Sequence, residues 1–137
     1  MTLKSCRLLV VDDHFLLRQM VSTALESAGV AKPAFSTDGV DALDKINAAH
    51  AAGQPYDILL LDWSMPKMNG YDLLRALRGD HRYNKTAIVM LTAESEDKNI
   101  IKALEAGATA FITKPFQPDD LIKKLHEVAQ WRNDHAE

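Results

Sequence analysis

Short unbroken apolar runs alternate along the chain with longer stretches in which apolar residues recur every three or four positions. The runs are Leu8 to Val11, Ile58 to Leu61, Ala87 to Leu91 and Ala110 to Ile112, with a weaker one at Pro33 to Phe35. Runs this short and this rich in Val, Ile and Leu predict strands covered on both faces, as in a parallel sheet. Between them, Leu17, Val21, Ala24, Leu25 and Ala28 mark one helical face, stopped by Gly29. Val40, Leu43 and Ile46 mark a second, opened by Asp38 as an N-cap. Leu73, Leu74 and Leu77 mark a third, and Ile100, Ile101 and Leu104 a fourth that closes at Gly107. Leu121, Leu125 and Val128 mark a fifth, after a turn at Gln117 to Asp119, and this helix ends near Arg132. Each stripe reads first as core packing. The strict alternation predicts an α/β fold, a five-stranded parallel sheet flanked by five helices with right-handed crossovers.

Composition narrows the class without naming it. The 137 residues fit one domain, with a core from about 7 to 132 and a short polar tail. Residues 1–137 are therefore expected to form a single unit with no second domain. With 47% hydrophobic and 26% charged residues, the chain reads as an ordinary globular protein. A net charge of −3 gives no strong pull toward nucleic acid or an anionic membrane. No apolar run is long enough to span a bilayer, and Met1 to Cys6 lacks the core of a secretory signal. The lone Cys6 excludes an internal disulfide, so the cytoplasm is the expected compartment.

The chemistry lies in the polar residues at the far end of each apolar run. The first runs into Asp12 and Asp13, the third into Asp62, the fourth into Thr92, and the fifth into Thr113, Lys114 and Pro115. Open parallel sheets bind ligands at the carboxyl ends of their strands, near the point where strand order reverses. Four strands thus bring three carboxylates, a hydroxyl and an amine to one edge, a pattern that packing does not explain. Crowded carboxylates repel unless a cation joins them. Oxygen donors without Cys or paired His favour Mg²⁺, Mn²⁺ or Ca²⁺, and a site that also handles phosphate favours Mg²⁺. Lys114 suits a phosphate oxygen, Thr92 can add a hydroxyl donor, and Asp62 remains as a nucleophile for phosphorus.

At these residues the sequence resembles the response-regulator receiver family, and within it the single-domain chemotaxis regulators. The matching segments are LLVVDD from Leu8, DGVDAL from Asp38, DWSMPKMNG from Asp62, LTAE from Leu91, NIIKALEAGA from Asn99 and KPF from Lys114. The resemblance implies a flavodoxin-like, CheY-like (βα)5 receiver in which Asp62 accepts a phosphoryl group. It implies Mg²⁺ held by Asp13 and Asp62 with the Ser64 backbone carbonyl, and by Asp12 largely through water. Lys114 would pair with the phosphoryl oxygens, its bond to Pro115 would be cis, and Thr92 and Phe111 would be the switch residues. The donor would be a histidine kinase or a histidine phosphotransfer protein. A downstream target, such as the flagellar motor switch, would read the face made by the fourth helix, fifth strand and fifth helix. A monomer is expected that binds neither nucleic acid nor membrane and that turns over no separate metabolite.

The chain departs from those chemotaxis regulators at several positions. Phe111 stands where they carry Tyr, Ser64 where they carry Asn, and Glu96 and Asp97 where they carry lysines. Trp63 reads as a partly exposed rim residue whose indole should report metal binding. His14 reads as a solvated helix start, with control of access to the acidic pair as its other reading. His50, His81, His126 and His135 show no metal-ligand spacing. An aspartate-nucleophile phosphatase would need a second acid at position 64, and Ser64 does not supply it. A flavodoxin-like cofactor binder would need a Gly/Ser/Thr-rich turn after the first strand, where Asp12, Asp13 and His14 stand instead. A phosphorelay carrier remains the alternative role to a chemotaxis output.

Overall fold

Buried β-branched and leucine runs form the middle of the molecule, and amphipathic helices cover both sides of it. The computed structural model describes residues 2–93 and 97–134. In chain order the elements are β1 Leu8–Val11, α1 Phe15–Ser27, β2 Ala34–Ser36, α2 Gly39–Ala51, β3 Ile58–Asp62 and α3 Gly70–Arg78. They continue with β4 Ala87–Ala93, α4 Asp97–Glu105, β5 Ala110–Lys114 and α5 Pro118–Asp134. All strand pairs are parallel, in the order β2-β1-β3-β4-β5. The expected fold class is thus the observed one.

Alternation along the strands makes two cores. Leu8, Val10, Ile58, Leu60, Val89 and Leu91 face one side and meet Val21 and Leu25 of α1 and Leu121, Leu125 and Val128 of α5. Leu9, Val11, Leu59, Leu61, Ile88 and Met90 face the other and meet Ala42 and Ile46 of α2, Leu73, Leu74 and Leu77 of α3, and Ala103 of α4. Each fully buried Leu, Ile or Val contributes about 1.5–3 kcal/mol of transfer free energy, so a strand covered on both faces is held firmly in register.

The helix ends obey local chemistry. Asp38 caps α2, accepting from the Asp41 amide at 2.8 Å, and Asn69 caps α3 through the Asp72 amide. Gly29 and Gly107 take positive φ just past α1 and α4, as their positions predicted.

Three expectations need correction. Pro33 lies outside β2, which runs from Ala34 to Ser36, because proline brings no amide hydrogen to a ladder. The turn expected through Asp119 ends earlier, since Pro118 is the first residue of α5, a place its fixed φ suits. In α4, Ile101 and Leu104 are exposed and Ala103 faces the core; Val40 of α2 is exposed as well. Glu94, Glu96 and His135 lie outside the described residues.

Candidate functional site

The strand order reverses between β1 and β3, which opens a crevice at their carboxyl ends. Asp12 and Asp13 leave β1 there, and Asp62 is the last residue of β3. Thr92 and Lys114 fall inside β4 and β5 rather than beyond them, with Thr92 paired to Thr113 and Ala93 to Lys114. Polar side chains did not end the strands, because backbone pairing is indifferent to what the side chain is. The structure therefore brings the five polar residues expected at this edge to one place. Ser64, in the loop after β3, is exposed, and Phe111 on β5 is half-buried against the second core.

Burial sets the electrostatics. Asp12 is 0% and Asp62 4% exposed, whereas Asp13 is open to solvent. Lys114 Nζ donates to Asp62 Oδ1 at 2.9 Å and lies 3.4 Å from Asp12 Oδ2. Asp62 Oδ2 and the hydroxyl of Thr92 are buried without a hydrogen-bond partner among the described residues. Burial pushes the Asp62 carboxyl above its ordinary pKa, the Lys114 hydrogen bond pulls it back, and the Asp12 charge pushes it up again. An oxygen so placed lacks a positive partner. The donor set supplies a place for one: carboxylate oxygens of Asp12, Asp13 and Asp62, with a nitrogen of His14, all lie within 4.8 Å of one another. These residues fit a hard divalent cation.

The loop after β3 is pinned so that Asp62 cannot drift. The Trp63 amide donates to the Leu91 carbonyl at 3.0 Å, and the Gly70 amide donates to the Trp63 carbonyl at 2.9 Å. A Cβ on Gly70 would meet the Asp62 carbonyl oxygen at 2.2 Å, so only glycine allows this approach. Trp63 is half-buried, as its rim position predicted, and stacks on Tyr71 with ring centroids 5.0 Å apart. The Lys114–Pro115 bond is cis.

Sequence spacing alone undervalues His14. It is the N-cap of α1, and its side chain is 65% exposed, yet the ring turns back onto the acids. Its Nδ1 lies 2.9 Å from Asp12 Oδ1, and its own backbone amide donates to the same oxygen at 2.7 Å. Adjacency to the acidic pair was the signal available for this.

An open parallel sheet with a buried aspartate, a facing lysine and a cation-sized acidic pocket at its switch point defines a class of protein. The response regulator receiver domain matches residues 8–126, and the chain belongs to that family. It is similar to the chemotaxis protein CheY1 of Helicobacter pylori, 38% identical over 93% of this chain and 99% of that protein. It is also similar to chemotaxis protein CheY of Pseudomonas aeruginosa, 34% identical over 89% of this chain and 94% of that protein. Among solved structures, the chemotaxis response regulator CheY4 of Vibrio cholerae superposes with a TM-score of 0.78. It is 36% identical and covers 90% of this chain and 98% of that one. This is a receiver domain of the CheY type, a family of signalling proteins. No helix among the described residues is long and apolar enough to cross a membrane.

Proposed function

We propose that this protein is a single-domain response regulator that takes a phosphoryl group onto Asp62 from a phosphohistidine, in a Mg²⁺-dependent reaction. The observation that carries this reading is the buried Asp62, whose Oδ1 faces Lys114 while Oδ2 is left without a partner among the described residues. Asp62 Oδ1 attacks phosphorus, the P–N bond to the donor imidazole breaks, and the released nitrogen takes up a proton. Lys114 passes from Oδ1 to the phosphoryl oxygens, and the unpartnered hydroxyl of Thr92 donates to one of them. Asp12, Asp13, Asp62 and the Ser64 carbonyl would hold Mg²⁺, which would neutralise charge on the transferring group. In the reverse phase a water attacks phosphorus, the P–O bond to Asp62 breaks, and inorganic phosphate leaves.

The output arises from a population shift. Turning Thr92 toward the phosphoryl group vacates space into which the half-buried Phe111 can pack, and this favours one arrangement of the α4–β5–α5 face. Exposed Ile101 and Leu104 on α4 give that face an apolar surface for a protein target. Similarity to chemotaxis proteins over nearly the whole chain supports a chemotaxis output, with a flagellar switch component as the target class, in the cytoplasm. Acetyl phosphate with Mg²⁺ should add one acid-labile phosphoryl group, and chelation of Mg²⁺ should prevent it. Labelling that proceeds unchanged without divalent cation would contradict the metal role.

A further inference from the structure

The carboxylates account for only three of the four donors that converge at the end of β1. His14 Nδ1 stands 2.9 Å from Asp12 Oδ1, 3.3 Å from Asp13 Oδ1 and 3.9 Å from Asp62 Oδ2. Donors about 2.1 Å from one cation stand about 3 Å apart when adjacent and about 4 Å apart when opposite. The three observed separations match those edges. The Asp62 oxygen in this set is buried and has no hydrogen-bond partner among the described residues, while Lys114 holds the other oxygen of the same carboxylate. A neutral imidazole carries its proton on either nitrogen. With the proton on Nε2, Nδ1 keeps a lone pair within 4.8 Å of the carboxylate oxygens, on a side chain that is 65% exposed.

We propose that His14 is a fourth ligand, so that this pocket selects nitrogen-preferring divalent cations such as Ni²⁺ and Co²⁺ over Mg²⁺ more strongly than carboxylates alone would. This rests on the acidic pocket holding a cation, the role proposed for it in phosphoryl transfer. Mg²⁺ gains little from an imidazole, whereas later first-row ions bind it well and in the order of increasing affinity toward copper. His14 comes directly after the strand's two acids and caps α1, so the ring is delivered by the same turn that delivers Asp12 and Asp13.

Calorimetric titration of the untagged chain with Ni²⁺ and with Mg²⁺ tests this, comparing the native protein with His14→Ala, His14→Gln and Asp13→Asn. His14 is exposed, so its variants are expected to fold, and far-UV circular dichroism checks that they do. The expected result is a loss of about ten-fold or more in Ni²⁺ affinity for both His14 variants, with Mg²⁺ affinity changed by less than about two-fold. Asp13→Asn should weaken both ions. Equal changes for the two ions in His14→Ala, or none for Ni²⁺, would overturn the assignment while leaving the Mg²⁺ pocket intact. Ni²⁺ binding that survives in Asp13→Asn would place the ion elsewhere and overturn it too. Absence of Mg²⁺ binding in the native protein would overturn both this inference and the metal role on which it rests.

Discussion

Two aspartates at opposite ends of β3 are almost equally buried and are treated in opposite ways. Asp57, just before the strand, is 6% exposed, and both its oxygens are satisfied: Arg132 of α5 meets Oδ1 at 2.9 Å and the Arg7 amide donates to Oδ2 at 2.7 Å. Asp62, at the strand's last position, has one oxygen on Lys114 and the other on no partner among the described residues. At the amino end of the sheet both oxygens of the buried carboxylate are met, and at the carboxyl end one is left without a hydrogen-bond partner among the described residues. A buried charge that is completed stabilises the fold or costs it little; one left incomplete is kept for a ligand.

Substitutions at the two ends should therefore differ in sign. Asp57→Ala takes the carboxylate away from the Arg132 guanidinium and the Arg7 amide, and should destabilise the fold by about 3 kcal/mol in urea unfolding, while leaving phosphoryl labelling in place. A loss below about 1 kcal/mol would mean that the Asp57 pair is not structural. Gly70→Ala should cost about 2 kcal/mol, because its methyl meets the Asp62 carbonyl. It should also slow phosphorylation, since the loop that holds the acceptor must shift; normal labelling would show the loop to be dispensable.

Asp62→Asn should act the other way, raising stability at pH 7 by about 1 kcal/mol, because it removes a buried charge that lies beside Asp12 and has one oxygen without a hydrogen bond among the described residues. The folded pKa of Asp62 lies above that of an unfolded aspartate, about 3.9. The folded chain therefore holds that proton to higher pH, and stability falls as pH rises from about 4 through the folded value. The gain from Asp62→Asn should accordingly vanish below about pH 4. A gain that grows in acid would reverse the assigned shift.

How much of this was legible in the sequence depends on whether a residue's role is local. The strands could be read because Ile58 to Leu61 and Ala87 to Leu91 are short, unbroken apolar runs, rich in Ile, Leu and Val, that suit a strand buried on both sides. The site could be read because Asp12, Asp13, Asp62 and Thr92 interrupt such runs where packing offers no reason for a polar group. The Asp57–Arg132 pair could not, since it joins residues far apart in sequence and both look like ordinary surface charges. The facing of α4 was hidden because its apolar residues at 100, 101, 103 and 104 allow two stripes, and only packing against the sheet chooses Ala103 as the inward one. The ring of His14 turns on a rotamer, which spacing does not encode.

Thr92→Val should have the smallest effect on stability, within about 0.5 kcal/mol, since it removes a buried hydroxyl that has no partner among the described residues and keeps the shape. Its phosphoryl transfer should nevertheless slow. A larger loss of stability would show that the hydroxyl is hydrogen-bonded in the resting protein and is not held for the phosphoryl group.

The contrast between the two aspartates is tested most directly by labelling with acetyl phosphate and Mg²⁺ on three chains in parallel: native, Asp57→Asn and Asp62→Asn. One acid-labile phosphoryl group should appear on the native and Asp57→Asn chains and none on Asp62→Asn. Full labelling of Asp62→Asn would contradict the assignment of the acceptor.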